Sequence, residues 1–188
     1  MGSKGWNLFM TVENTRGFEK ISAYANDEAI TLPKRSTTLS AGYDIAAAED
    51  IIVPAMWKTG VKHVLKDLAH LNVAGEVDES AMKPVLVPTG LKAYMGENEY
   101  LQLASRSSNP LKRGLSLPNG VGIVDADYYN NENNEGHLFV QLVNFGLRDV
   151  QIKKGERIAQ GIFLSFLTTA DDQPSDQVRA GGFGSSGQ

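Results

Sequence analysis

The chain has 188 residues, of which 41% are hydrophobic and 21% charged, and its formal net charge is −4. These values are typical of a folded globular protein and exclude a fibrous or disordered chain. Acidic and basic residues are interspersed, so a broad surface that binds a nucleic acid polymer is not expected. A few well-placed cations can still bind a small phosphorylated ligand.

The sequence contains no cysteine, which excludes disulfide bonds, zinc–thiolate sites and thiol nucleophiles. No apolar run approaches the ~18 residues that suggest a membrane span, and the N-terminal residues lack a signal-peptide core. We therefore expect no membrane partner and a cytoplasmic location, with chemistry that uses oxygen and nitrogen groups.

Short segments rich in Val, Ile, Leu, Phe and Tyr recur along the chain, separated by Gly, Pro and Asn at the spacing of an all-β fold. In Leu138–Val143 both alternating faces are mostly apolar, which predicts a strand covered on both sides by a second sheet or by another subunit. The predicted strands are Ala41–Ile45, Ile51–Val53, Val85–Val87, Glu99–Ala104, Val121–Val124, His137–Asn144 and Arg157–Phe166.

The segment Ala55–Leu71 departs from this pattern, because its apolar residues recur at helical spacing with lysines opposite them. The spacing predicts one helix. His63, Asp67 and His70 lie four and three residues apart on this helix and could project from one face as metal ligands. A solvated polar face is the favoured interpretation.

The segment Thr168–Gln188 is rich in Asp, Gln, Ser, Ala and Gly and has few apolar groups. It cannot bury enough surface to order itself, which predicts a flexible C-terminal arm at 168–188 after a domain at 1–167. The arm carries Phe183 among glycines, followed by Ser185 and Ser186, an unusual composition for an idle terminus.

Two segments have the composition of an anion site. Asp44 lies between small and apolar residues, where a carboxylate needs an arginine, backbone donors or the shell of a metal ion as a partner. Ser105-Arg106-Ser107-Ser108 follows a predicted strand and ends before Asn109-Pro110. This run either cradles phosphate oxygens or forms a polar turn with a helix cap.

Two further segments interrupt apolar strands with small or polar residues. Gly120 and Gly122 precede the paired carboxylates Asp125 and Asp127, and glycine in a strand marks a bulge or a close approach of backbone to ligand. A solvated hairpin is the alternative. Gln160 interrupts an apolar strand in the same way, and a satisfied core amide is its more common explanation.

Taken in order, these segments resemble the five motifs of the trimeric all-β dUTPases. Val87–Leu91 is also similar to the family's connector before the second motif, so the resemblance extends over nearly the whole chain from about Ser36. The resemblance implies a distorted jelly-roll β-barrel of the dUTPase type, with an inserted helical segment at about 55–83. The five motifs correspond to Ala41–Asp44, Ser105–Ser108, Gly122–Tyr128, Gly155–Gln160 and Gly181–Gly187.

The resemblance implies a homotrimeric, Mg²⁺-dependent enzyme that hydrolyses dUTP to dUMP and pyrophosphate. In the family, Asp125 matches the carboxylate that activates the water attacking the α-phosphorus, and Asp44 matches a residue that contacts Mg²⁺ through water. The third-motif hairpin reads uracil by its backbone, and Tyr128 packs on deoxyribose. The implied substrate contacts are Asn119, Gly120, Gly122, Tyr128, Arg106, Ser107, Ser108, Gln160, Arg179, Phe183, Ser185 and Ser186.

Three features depart from the family pattern. The segment at about 55–83 replaces a short loop, and a cover for one barrel edge is favoured over a surface for a regulatory protein partner. The stretch Tyr129–Gly136 is longer than the usual Arg-Gly-Glu turn, and we expect it to be an exposed loop. In the fifth motif, Arg179 stands one residue closer to the paired glycines than in the family.

Two alternative functions remain open from the sequence. A dCTP deaminase-like enzyme of the same fold would need a glutamate in the hairpin region, where this chain has the Asp125 and Tyr128 pattern of the pyrophosphatase. A regulatory binding protein switched by dUTP would keep the nucleotide site and use the inserted segment to hold its partner.

Overall fold

The computed structural model describes residues 15–58 and 83–173, and these residues form eleven strands and one short α-helix, α1 (Ser108–Arg113). Two 3₁₀ turns lie at Ser22–Tyr24 and Ala126–Tyr128. The predicted all-β class is confirmed. The strands are β1 (Gly17–Lys20), β2 (Tyr43–Ala46), β3 (Ile51–Val53), β4 (Val85–Pro88), β5 (Leu91–Tyr94), β6 (Glu99–Ser105), β7 (Leu115–Ser116), β8 (Val121–Asp125), β9 (Phe139–Asn144), β10 (Val150–Ile152) and β11 (Arg157–Ser165).

All seven predicted strands are present, with bounds that differ by a few residues at most. The sequence does not predict β1, β5, β7 and β10. Each of these is only two to four residues long, too short for alternation of apolar and polar residues to be recognised. Their positions depend on pairing with strands elsewhere in the chain.

The named strands pair in antiparallel fashion in four sheets. The largest sheet has the order β2-β11-β6-β8, the next has the order β4-β9-β7, and β1–β5 and β10–β3 form two-stranded sheets. Alternate side chains from these sheets form one hydrophobic core, which includes Ile45, Leu101, Leu142 and Ile158, each with no exposed surface.

The sequence predicts that both faces of β9 are covered. In the isolated chain only one face is buried. Val140, Leu142 and Asn144 are buried, whereas Phe139, Gln141 and Val143 alternate with them and are half-buried. The half-buried face of β9 is therefore the side on which a ligand or a second copy of the chain can lie.

Much of the predicted inserted helix lies outside the described residues, including His63, Asp67 and His70. Trp57 and Lys58 are helical at its beginning, and the Trp57 indole N–H donates to the Phe145 carbonyl at 3.1 Å. Residues 174–188 of the predicted arm also lie outside them, so the division into a domain and an arm stays a prediction. Within the described ranges, no helix has the length and apolar character needed to cross a membrane.

Candidate active site

Four of the five motifs lie on neighbouring strands of the β2-β11-β6-β8 sheet. Asp44 on β2 is directly opposite Gln160 on β11, and Gln160 is in turn opposite Ala104 on β6. Leu103, the next residue on β6, is opposite Gly122 on β8. Antiparallel register therefore brings together motifs that are far apart in the sequence.

Asp44 is the centre of an ionic cluster, the Asp44 cluster, formed with Ser36, Arg106 and Arg157. Its Oδ1 forms an ion pair with Arg106 Nε at 3.0 Å, and its Oδ2 accepts from Arg157 Nη1 at 2.9 Å and from the Ser36 hydroxyl at 2.7 Å. Burial by itself raises the pKa of Asp44, but the hydroxyl and the two guanidinium groups outweigh burial, and the pKa is lowered overall.

Arg157 and Ser36 are the members of this cluster that the sequence interpretation does not identify as functional. Arg157 stands inside the fourth motif, and its position between Glu156 and an apolar strand is the signal that could have marked it. Ser36 lies eight residues before Asp44 in an irregular segment, and the sequence gives no signal for its contact.

Gln160 lies beside the Asp44 cluster and fits closely against Gly42. Its Nε2 donates to the Ser105 carbonyl at 3.3 Å, next to Arg106. A Cβ added at Gly42 would lie 2.5 Å from Gln160 Oε1, so a side chain at this first-motif position would displace the Gln160 amide. The half-buried Gln160 amide thus bonds the backbone of Ser105 and lies against Gly42.

The second motif spans the end of β6 and the start of α1, so it lies at a polar turn before a helix, and its role as a phosphate cradle stays a prediction. Ser107 immediately precedes α1, and its hydroxyl does not form an N-cap hydrogen bond with this helix. The helix is anchored instead by Asn109, whose buried Nδ2 donates to the Ile158 carbonyl at 2.6 Å. Ser107 and Ser108 therefore lie beside Arg106 at a fixed helix start.

A cavity of about 260 Å³, the β8–β9 cavity, opens between the third-motif hairpin and β9. The predicted residues Asn119, Gly122 and Tyr128 line it, and Gly120 forms the adjoining turn with φ 72°. The sequence interpretation does not identify the contribution of β9, although the apolar alternation of that strand marks it. The remaining lining residues are Leu103, Leu117, Ile123, Val124, His137, Leu138, Phe139, Val140 and Gln141.

His137 enters the wall of this cavity as a neutral imidazole. Its Nε2 accepts from the Gly90 backbone N–H at 2.9 Å, and its ring lies 4.1 Å from the ring of Phe139. Burial lowers the pKa of His137, against smaller opposite effects of Glu49 and Glu135. The imidazole therefore contributes an uncharged, aromatic surface to the cavity.

The loop that follows Tyr128 is not simply exposed, so that expectation is only partly right. Glu132 and Asn133 are exposed, but Asn131 is buried and its amide bonds four groups of the same loop. A polar sequence predicts exposure to solvent, but an Asn side chain can instead form hydrogen bonds with backbone groups inside a tight loop. Because these hydrogen bonds fix its shape, the loop forms an ordered segment behind Tyr128.

Within one chain, Asp125 is far from the Asp44 cluster. Asp125 is opposite Tyr100 on β6, six residues before Arg106, which corresponds to about 20 Å along the strand. The Arg106 guanidinium also points toward Asp44 on β2, at the opposite edge of the sheet from β8. The structure thus brings together the predicted phosphate contacts but not the predicted base.

The predicted arm residues Arg179, Phe183, Ser185 and Ser186 lie outside the described residues. Among residues 15–58 and 83–173, no group of three or more His, Asp or Glu side chains is arranged to hold a metal ion. A metal ion at the Asp44 cluster would therefore take most of its ligands from water and from a bound molecule.

Comparisons with known proteins point to one family. The dUTPase family model matches residues 68–187. A deoxyuridine 5′-triphosphate nucleotidohydrolase of Lactococcus lactis subsp. lactis is 46% identical over 173 residues, which cover 92% of this chain and 97% of that protein. The crystal structure of a dUTPase from Streptococcus mutans is similar, with a TM-score of 0.64 and 44% identity over 81% of this chain and 98% of that chain.

A mutant dUTPase from phage phi11 of S. aureus, for which the coordination of a structural Mg(II) ion is described, has a TM-score of 0.58. It is 18% identical and covers 87% of this chain and 98% of that chain, so the likeness concerns the fold.

We predict that Asp44→Asn destabilises the protein by about 1–3 kcal/mol near pH 7, because two guanidinium groups lose their charged acceptor. The lowered pKa of Asp44 means that its ion pairs stabilise the fold above the ordinary aspartate pKa of about 3.9, and that this contribution is lost as the pH falls through the folded-state pKa. Urea unfolding at fixed protein concentration between pH 7 and pH 3 measures the difference.

The difference between the wild type and Asp44→Asn should shrink as the pH falls below about 4. Glu97→Gln, at an exposed turn, is the control and should change the unfolding free energy by less than about 0.5 kcal/mol. A difference that is independent of pH would contradict the assignment of the stabilisation to the Asp44 carboxylate.

Proposed function

The chain belongs to the dUTPase family, and we propose that it hydrolyses dUTP to dUMP and pyrophosphate, lowering dUTP and supplying the precursor of dTTP. One observation carries the proposal: the first, second and fourth motifs form one ionic cluster, and the third motif forms a cavity beside the same sheet. The comparisons do not favour the deaminase or the dUTP-switched binding protein.

The β8–β9 cavity is the proposed uracil and deoxyribose site. Its volume of about 260 Å³ and its mixed polar and apolar lining, whose described residues include no Lys or Arg, suit a base and a sugar rather than a charged triphosphate. Asn119, Gly120 and Gly122 would present backbone groups to the edge of uracil, and Tyr128 would pack on the sugar. A site that pairs the polar edge of its substrate rejects mismatched bases more strongly than apolar contact does.

The phosphates are proposed to lie on the Asp44 cluster, with Arg106, Ser107, Ser108 and Gln160 as their contacts. Two guanidinium groups share one carboxylate there, which leaves the cluster with a net positive charge. Arginine binds phosphate oxygens in bidentate geometry, and hydroxyl and amide groups complete such a cradle. The chain's overall negative charge does not prevent this local attraction.

The residues of the cluster fit Mg²⁺ that is carried mainly by the substrate. Oδ2 of Asp44 already accepts two hydrogen bonds and Oδ1 pairs with Arg106, so this carboxylate suits a contact through water better than direct ligation. A cation that dehydrates reluctantly and prefers phosphate oxygens suits such sparse protein ligation. When bound, the ion would neutralise charge on the phosphates.

Asp125 is the proposed general base. Its carboxylate would accept a proton from the water that attacks the α-phosphorus, while the bond from that phosphorus to the bridging oxygen breaks and pyrophosphate leaves. A positioned base contributes typically about 10²–10⁴-fold to the rate. The remainder is assigned to charge stabilisation by the phosphate contacts.

The separation of about 20 Å between Asp125 and Arg106 along the sheet supports an active site shared between chains. We propose a homotrimer, typical of the family, in which the cavity and base of one copy meet the Asp44 cluster of another. The half-buried face of β9 is consistent with a neighbouring subunit.

The arm completes the proposed site, with Phe183 over uracil and Arg179, Ser185 and Ser186 on the phosphates. Closure of such a segment excludes water once the substrate is bound. The cytoplasmic location and a regulatory protein partner at about 55–83 stay predictions.

A nucleotide panel tests the reaction. Pyrophosphate should be released from dUTP with Mg²⁺, while dTTP, dCTP and UTP should be at least about 100-fold poorer substrates. Chelation of Mg²⁺ should suppress the reaction. Pyrophosphate and ammonia are assayed separately, and ammonia released from dCTP would overturn the proposed function.

Asp125→Asn should lower kcat by about 10²–10⁴-fold while dUTP still binds within a few-fold of the wild-type affinity, because the amide keeps the shape but cannot accept the proton. Single-turnover kinetics and equilibrium binding separate the two effects. Glu132→Gln, an exposed carboxylate of the following loop, is the control and should leave both unchanged. A near-normal kcat in Asp125→Asn would exclude this residue as the base.

Mixed assemblies test the shared site. Asp125→Asn and Arg106→Ala should each be inactive alone, whereas trimers formed by refolding an equal mixture should regain about a quarter of the wild-type activity, since one site in four combines two intact halves. Refolding each variant by itself is the control. If both residues served one substrate from the same chain, the mixture would remain inactive.

A further inference from the structure

The hydroxyl of Tyr128 is held on two sides by groups that the family motifs do not include. It donates to the His137 carbonyl at 3.0 Å and accepts from Asn134 Nδ2 at 2.8 Å. Only 7% of the Tyr128 surface is exposed, and its ring lines the β8–β9 cavity. The ring is therefore fixed both by burial and by directed bonds at its far end.

Asn134 is itself held rigidly. Its Oδ1 accepts from Asn131 Nδ2 at 2.8 Å and from the Gly136 N–H at 3.1 Å, which leaves Nδ2 oriented toward Tyr128. Asn131 Nδ2 also donates to the Tyr128 carbonyl at 2.8 Å. The two asparagines thus bind Tyr128 at its backbone and at its hydroxyl, as a closed network.

The loop backbone is shaped to allow this network. Asn130, Glu135 and Gly136 adopt positive φ angles of 56°, 59° and 81°, which turn the chain back toward Tyr128. The Glu135 carboxylate accepts from the backbone N–H of Ser22 at 3.0 Å and from its hydroxyl, which ties the loop to the barrel. Because these hydrogen bonds hold the loop in place, the loop can in turn fix the position of the Tyr128 ring.

We propose that Asn134 is a positioning residue for sugar selection, which holds the Tyr128 ring where it excludes the 2′-hydroxyl of a ribonucleotide. The inference rests on the proposed function and extends it to a residue that never touches the substrate. A ribose differs from a deoxyribose by one oxygen atom, so a small shift of the ring is enough to admit it.

The test compares kcat/KM for dUTP and UTP in the wild type, Asn134→Leu, Tyr128→Phe and the double variant. Asn134→Leu should raise the UTP-to-dUTP ratio of kcat/KM by about 3–10-fold, the range of one lost hydrogen bond. In the Tyr128→Phe background the same substitution should change the ratio no further, because the hydroxyl through which it acts is absent. Asn133→Ala, on the exposed side of the loop, should keep the wild-type ratio.

An unchanged ratio in Asn134→Leu, or effects of the two substitutions that multiply, would overturn the inference. A merely structural role would lower both kcat/KM values together and leave their ratio unaltered. If Asn134→Leu fails to fold by circular dichroism, Asn134→Ala takes its place in the same comparison, because it removes the amide with a smaller side chain, and an unchanged ratio in Asn134→Ala would equally overturn the inference. A wild type that hydrolyses no dUTP would instead contradict the proposed function.

Discussion

The candidate site depends on a single irregularity in β11. Strict alternation along a strand would put Arg157 and Gln160, three residues apart, on opposite faces of the sheet. The register against β2 shifts between Arg157 and Ala159, so that Ile158 and Ala159 are buried in succession. Both polar residues can then serve the side on which Asp44 lies, Arg157 through its ion pair and Gln160 as the direct neighbour.

The same register fixes the electrostatics of the Asp44 cluster. Arg106 and Arg157 approach different oxygens of one carboxylate, and Arg106 Nη1 also donates to the Arg157 carbonyl at 3.3 Å. The two cations are held close together although they repel each other, because the carboxylate lies between them. An anion that brings several oxygens can relieve this imbalance, which favours a polyphosphate over a single carboxylate ligand.

The sequence predicts which side chains form the site better than it predicts the distances between them. Asp44 needs a partner because of its apolar neighbours, and the structure supplies arginines. The position of Asp125 relative to Arg106 depends on strand register, which the order of motifs does not encode. The loop Tyr129–Gly136 is misjudged because composition alone does not distinguish an amide that faces water from one that bonds its own backbone.

The distance between the β8–β9 cavity and the Asp44 cluster indicates that substrate selection and turnover depend on different parts of the proposed site. The β8–β9 cavity, with Tyr128 and the loop behind it, is lined by residues of one chain, and hydrogen bonds within that chain hold the Tyr128 ring in its wall. The proposed phosphate contacts lie at the far end of the sheet and would reach the same substrate only through the proposed assembly. In the proposed assembly, discrimination of base and sugar depends chiefly on the cavity of one chain, whereas the rate depends on how accurately two copies are aligned, and substitutions at the cavity and at the subunit contact should act on separate kinetic steps.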